Sequence, residues 1–180
     1  MHLHVVTALQ NGANFEVQFL PWSLSQGYRE GDLDVWDDPG KDGDLVALAA
    51  SVSVRDQQPE HFLNAHRALF EARHLHANRL HTFDEVASVL SSVHVDVEAV
   101  AADIETRRPH QLIGESHRRL EPYEVFGVPT FVIGDDAVFV RYMEPPTNDV
   151  SASIDLVGGI VDMMVARPSL NEFKHTKLPA

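Results

Sequence analysis

From Leu45 to about Leu120 the apolar residues keep a helical spacing with no strand-like stretch between them, and this block limits the fold more than any other feature. Leu45, Leu48, Ala49 and Val52 fall on one helical face. Pro59 suits the first turn of a second helix, in which Phe62, Ala65, Leu69 and Ala72 recur and Leu63 and Phe70 widen the stripe. Thr82 with Glu85 has the spacing of a capping box ahead of Val86, Val89, Leu90 and Val93. Asp96 can cap a further helix holding Val97, Val100, Ala101 and Ile104, and Leu112, Ile113, Ser116 and Leu120 mark another. Four or five consecutive helices therefore form the middle of the chain.

On either side of the block the period changes. Residues 3–10 (Leu3, Val6, Ala8, Leu9) read as a short helix stopped by Asn11-Gly12. Residues 15–20 alternate Phe15, Val17 and Phe19 with Glu16 and Gln18, the two-residue period of a half-buried strand ended by Pro21. Residues 27–42, rich in Gly and Asp around Asp37-Asp38-Pro39-Gly40, read as a surface loop that Trp22 and Trp36 anchor. Past the block, Thr130-Phe131-Val132-Ile133 and Ala137-Val138-Phe139-Val140-Arg141-Tyr142 flank Gly134-Asp135-Asp136 as a hairpin. Asp149 can cap a last helix with Val150, Ile154, Val157, Val161 and Met164 inward. Gly158-Gly159 costs that helix about 1 kcal/mol per glycine relative to alanine, and close packing against the sheet is the expected reason. Arg167-Pro168 ends the helix, and residues 174–180 form a polar tail. No internal repeat is present. The order helix, strand, helical block, hairpin, helix is that of an α/β protein with helices inserted into one sheet domain.

Composition narrows the chemistry. The 180 residues include no cysteine, so they offer no disulfide, no zinc thiolate and no thiol catalysis. A formal charge of −13 repels phosphate backbones, so no nucleic-acid partner is expected. Arg107-Arg108 and His117-Arg118-Arg119 are too short and interrupted to reverse that, and read as solvated helix surface. No apolar run approaches the roughly 18 residues of a membrane span, and Met-His-Leu-His is not a secretory start. A cytoplasmic location with no membrane partner is the expectation. Eleven histidines raise the question of a metal. His74 and His76 are badly spaced on a helix; His110 and His117 share a face, but no ligand cluster accompanies them, so surface or satisfied-core roles are expected. Asp135-Asp136 reads as turn chemistry, and Ser23 and Ser25 have no nucleophile-elbow context.

Phe126-Gly127-Val128-Pro129-Thr130-Phe131-Val132-Ile133-Gly134 resembles the Gly-Val-Pro-Thr-Phe motif of the DsbA-like thioredoxin-fold family, and its place between helical block and hairpin is also the family's. The segment from Phe15 to Leu24 is similar to the family's second strand with its Pro-aromatic-Ser-Leu extension. His66-Arg67-Ala68-Leu69-Phe70-Glu71-Ala72-Arg73 resembles a helix of the inserted domain. Pro145-Pro146 through Pro168-Ser169-Leu170-Asn171-Glu172-Phe173 resembles the tail of actinobacterial-type members.

The resemblance implies a thioredoxin-like fold of DsbA type, α/β in class, with an inserted all-helical subdomain. Residues 1–26 and 122–180 would form the thioredoxin-like part, 43–121 the helical insertion and 27–42 the surface loop. It implies a cis bond before Pro129 and a substrate groove lined by Val128, Pro129 and Thr130, with Trp22 and Ser23 approaching the same side. Because these residues hold no cysteine and no ligand cluster, no catalytic side chain, no metal and no cofactor is expected in them. The partner would be a thiol, peptide or small-molecule substrate, with a homodimer as the expected assembly.

The family's first strand and the cysteine or serine at its first helix are not found. Residues 1–6 cannot be that strand, because Thr7 to Asn14 is too short for a parallel crossover. Three accounts follow: a chain that starts upstream of Met1, which we favour, a strand donated by another chain, or direct closure into a rearranged sheet. Three functions follow in turn. The first is a thiol–disulfide oxidoreductase relative, not redox-active in these residues. The second is a glutathione- or mycothiol-using relative of 2-hydroxychromene-2-carboxylate isomerase or kappa-class glutathione transferase. The third is a redox-dead peptide- or ligand-binding module.

Overall fold

The structure, a computed structural model, describes residues 1–170 and 172. They form two compact units, Phe15–Phe126 and Met1–Asn14 with the chain from Gly127 onward.

The first unit contains five helices: α2 (Asp42–Gln57), α3 (Pro59–His74), α4 (Phe83–Ser91), α5 (Val97–Glu105) and α6 (Arg108–Leu120); α1 (His2–Gln10) lies in the other unit. Their starts are local chemistry. Asp42 and Asp44 lie in the first turn of α2, where negative charge meets the helix dipole. The Thr82 hydroxyl accepts from the Glu85 amide at 3.4 Å and the Glu85 carboxylate accepts from the Thr82 amide at 3.1 Å, closing the capping box of α4. Asp96 accepts from the Ala99 amide at 3.0 Å at the head of α5.

Helix α2 is the axis of this unit and packs against α3, α4, α5 and α6. Its apolar spacing suggested one buried face; the structure buries every residue from Ala49 to Val54. Val46, Ala50 and Val54 meet Phe62, Ala65 and Leu69 of α3 and Val86 and Leu90 of α4. The opposite side, Leu45, Ala49 and Val52, meets Ile113 of α6 together with Val35 and Trp36. The run is built from Ala, Ser and Val, which lets neighbouring helices approach on both sides. The loop before α2 is therefore less superficial than its polarity suggests. Val35 and Trp36 turn inward from it, and it carries short 3-10 turns at Leu24–Tyr28 and Pro39–Lys41.

Residues 15–20 are corrected: they carry no ladder pairing among the described residues and are not a strand. An alternating pattern needs a neighbouring strand to become one. Here Phe19 instead packs edge-on to Phe62, with ring centroids 5.3 Å apart, and beside His66 at 5.1 Å. The Phe19 carbonyl accepts from Arg55 Nη1 at 2.9 Å. Of the three accounts of the first strand, direct closure into a rearranged sheet falls with it, since the sheet among the described residues has two strands, β1 and β2, formed by residues 130–133 and 136–139.

In the second unit α1 (His2–Gln10) packs against α7 (Val150–Ala166), and Leu3 through Ala8 are all buried. His4 joins the two helices: its Nδ1 lies 2.9 Å from the Ser153 hydroxyl and its Nε2 3.0 Å from the Glu144 carbonyl. A carbonyl only accepts, so Nε2 carries the proton and Nδ1 accepts from Ser153. The hairpin pairs β1 (Thr130–Ile133) with β2 (Asp136–Phe139) in antiparallel register, Thr130 opposite Phe139 and Ile133 opposite Asp136. Gly134 takes φ +61° at the first central position of the two-residue turn, the demand of a type II′ hairpin.

Two further expectations change here. The second strand stops at Phe139 rather than Tyr142. Val140 still donates to the Pro129 carbonyl at 3.1 Å, but Pro129 has no N–H to return, so regular pairing cannot continue past it. The two mid-helix glycines of α7 have no close neighbour: a Cβ at Gly158 or Gly159 would meet nothing within 4 Å. Packing against the sheet does not explain them, and nothing in the structure does. The expected polar tail at residues 174–180 lies outside the described residues.

Candidate functional site

The residues expected at a substrate groove are divided between the two units: Trp22 and Ser23 in the helical one, Val128, Pro129 and Thr130 in the other.

In the helical unit the site is set by the entry to α6. Arg107 precedes the helix in the left-handed region at φ 64°. Its guanidinium binds both oxygens of Asp42 at 2.6 and 2.7 Å and donates to the Trp36 carbonyl at 2.7 Å. This pins the loop, the start of α2 and the start of α6 together. The Trp36 indole then lies flat on α6, where a Cβ at Gly114 would come within 2.6 Å of its Nε1; only glycine leaves room. Nearly one turn further along α6, His117 sits between the two indoles. Its ring centroid is 4.9 Å from that of Trp36 and 5.4 Å from that of Trp22, with the Trp22 pair stacked at 15°.

Ser23 completes the arrangement through its backbone. Its amide donates to His117 Nε2 at 2.7 Å, so the imidazole is neutral with its proton on Nδ1. Burial drives the His117 pKa down to about 4, against a small opposing influence of Asp34. The Ser23 hydroxyl accepts from the Ser25 amide at 3.3 Å and caps the 3-10 turn; it is a structural group here. Gln26 ties that turn to the loop, donating to Asp34 at 2.5 Å and accepting from the Val35 amide at 3.0 Å. An open cleft of about 240 Å³ runs beside this cluster, lined by Trp22, Ser23, Gln26, Gly27, Arg29, His117, Leu120, Glu121, Glu124 and Val125.

His110, a histidine on the same helix, does not have the satisfied-core role expected of it. It is 2% exposed, and neither ring nitrogen has a hydrogen-bond partner among the described residues. Its Nε2 lies 3.4 Å from Asp42, whose carboxylate is committed to Arg107. Burial and the Arg107 charge push its pKa down.

In the other unit the Val128–Pro129 bond is cis. Thr130 Oγ1 donates to the Gly127 carbonyl at 2.7 Å, folding the chain back just before β1. Val128 is 60% exposed, and its amide and carbonyl have no hydrogen-bond partner among the described residues. Thr130 thus steers the strand entry, Pro129 accepts from Val140 just past β2, and Val128 has no hydrogen-bond partner for its backbone among the described residues.

Sequence reasoning reached Trp22 and Val128 but missed His117, Glu121 and Glu124. His117 lies 94 residues from Ser23, and no local spacing signals such a pairing. Among the described residues no group of three or more His, Asp or Glu is placed to hold a metal ion, and no helix is long and apolar enough to cross a membrane.

The chain matches the DSBA-like thioredoxin domain over residues 4–144. No curated protein matches it closely enough to add an activity. A match over more than half of the chain fixes the kinship, and the small sheet with its helical insertion agrees with it: the chain belongs to the DSBA-like thioredoxin domain family, an α/β thioredoxin-like fold.

Proposed function

We propose that these residues form a substrate-binding module of the family that does not itself carry out thiol–disulfide exchange. A thiolate is the nucleophile of that reaction, and the 180 residues supply none. The reading rests on one observation: Val128, exposed and two residues ahead of β1, has no hydrogen-bond partner for its amide and carbonyl among the described residues. An extended peptide or a small thiol with a peptide backbone can pair with such an edge, as strand addition does elsewhere. Val128, Pro129 and Thr130 are the substrate-binding residues in this reading, and Trp22 and Ser23 line a second contact region in the helical unit.

Val128→Pro removes the donor without breaking any bond of the folded chain. Titration of parent and variant with a panel of extended, cysteine-free peptides tests the reading. Loss of at least about tenfold in affinity is expected at an unchanged unfolding midpoint, the scale of a lost backbone hydrogen bond. Equal affinity in a folded variant would refute it. Glutathione enters the same assay. Its binding in place of the peptides would favour the isomerase or transferase relative over the peptide-binding module.

A further inference from the structure

The cleft beside Trp22 has a composition that selects its ligand. Trp22 is half-buried, stacked on His117 on one side, and lines the cleft with Leu120 and Val125, which together give an aromatic and apolar floor. Its carboxylates, Glu121 and Glu124, are exposed, and neither is in an ion pair among the described residues. The one cation of the wall, Arg29, already faces Asp34 at 3.8 Å and donates to the Gln26 carbonyl at 3.3 Å. His117 adds no positive charge, because its Nε2 is occupied as an acceptor of the Ser23 amide. Glu124 is held on the rim by the backbone: it sits in the left-handed region at φ 50°, closing the turn Glu121–Tyr123 with its amide on the Glu121 carbonyl at 3.1 Å.

We infer that this cleft takes the cationic side chain of a lysine or arginine residue, the head between Glu121 and Glu124 and the aliphatic stem along Trp22 and Leu120. The inference rests on the reading that Trp22 and Ser23 meet a ligand, and gives that ligand's chemistry. An indole face attracts an ammonium or guanidinium, and the two free carboxylates supply the complementary charge. A long side chain with an apolar stem and a charged tip fits a cleft with an apolar floor and an acidic rim. The formal charge of −13 adds a general attraction for cations but no site selectivity; the rim supplies that.

The test is a titration of the full chain with N-acetyl-lysine amide and with its neutral analogue N-acetyl-norleucine amide, followed by the indole Nε1–H resonance of Trp22. The lysine compound is expected to bind about tenfold more tightly, and the preference to vanish in Glu121→Gln/Glu124→Gln, whose exposed positions leave the fold intact. Equal binding of the two compounds, or a preference kept in the double variant, would overturn the charge assignment while leaving Trp22 as a contact residue. No shift of the Trp22 resonance with either compound would overturn the assignment and remove Trp22 from the ligand-binding reading as well.

Discussion

The helical unit and the hairpin make opposite use of the same kinds of residue. In the helices, Leu45, Val54, Val86, Leu90, Val100 and Ile113 are all shielded from solvent, and α2 is buried on both sides. In the hairpin, β-branched and aromatic residues pair in good register, yet no residue of either strand is buried. An isolated two-stranded hairpin is marginally stable at best in water. The helical unit is thus held by side-chain packing, whereas the hairpin keeps an accessible backbone edge at the cost of stability. In the proposed reading, an edge that pairs with a ligand's backbone is left unpaired in the free protein.

The comparison breaks most easily at the cores. Leu90→Ala, at a fully buried position in α4, should cost about 2–5 kcal/mol as a cavity opens, read as a fall in the urea midpoint. Gly114→Ala comes next. The added methyl must displace the Trp36 indole, and a loss of about 1–3 kcal/mol with a changed near-UV tryptophan signal is expected. An unchanged spectrum would mean that the indole does not rest on α6.

The pH dependence sharpens the same contrast. His66 and His117, both in the helical unit, are held down to about 4 by burial. Between that value and the unfolded histidine pKa of about 6.5, the unfolded chain binds protons that the folded one excludes. Stability is therefore complete above about pH 6.5 and is lost as the pH falls toward 4. His66→Phe should make that slope shallower, by about 1 kcal/mol at pH 5.5 for one group. A slope unchanged in the variant would contradict the desolvation of the half-buried His66. The smallest effect belongs to the hairpin: Val132→Ala, at a residue 36% exposed, should stay within about 0.5 kcal/mol by the same urea assay. A loss comparable to that of Leu90→Ala would erase the distinction between the two regions.

What the sequence disclosed follows the range of the interactions involved. The capping box at Thr82 and Glu85, the caps at Asp96 and Asp149, Pro59 at its helix start and the turn at Gly134 were all legible, because each depends on neighbours within a few positions. Residues 15–20 have the alternation of a strand, but pairing is a property of two segments and their pattern carries no trace of the other. The two-sided burial of α2 was hidden because Ala and Ser at Ala50, Ser51 and Ser53 do not register as an apolar face. Of the site, the Val128-Pro129-Thr130 stretch was readable as a motif. The cleft was not, because His117, Trp22 and Trp36 come together only when Arg107 ties the loop to α6.

The central claim is that Val128 offers its backbone to a ligand in a chain whose residues supply no thiol. Amide hydrogen exchange at Val128, with and without a bound extended, cysteine-free peptide, tests it most directly. The account predicts fast exchange in the free protein, as its amide has no hydrogen-bond partner among the described residues, and clear slowing on peptide binding with no change across the core of α2 and α4. Saturating peptide that leaves Val128 exchange unchanged would contradict it.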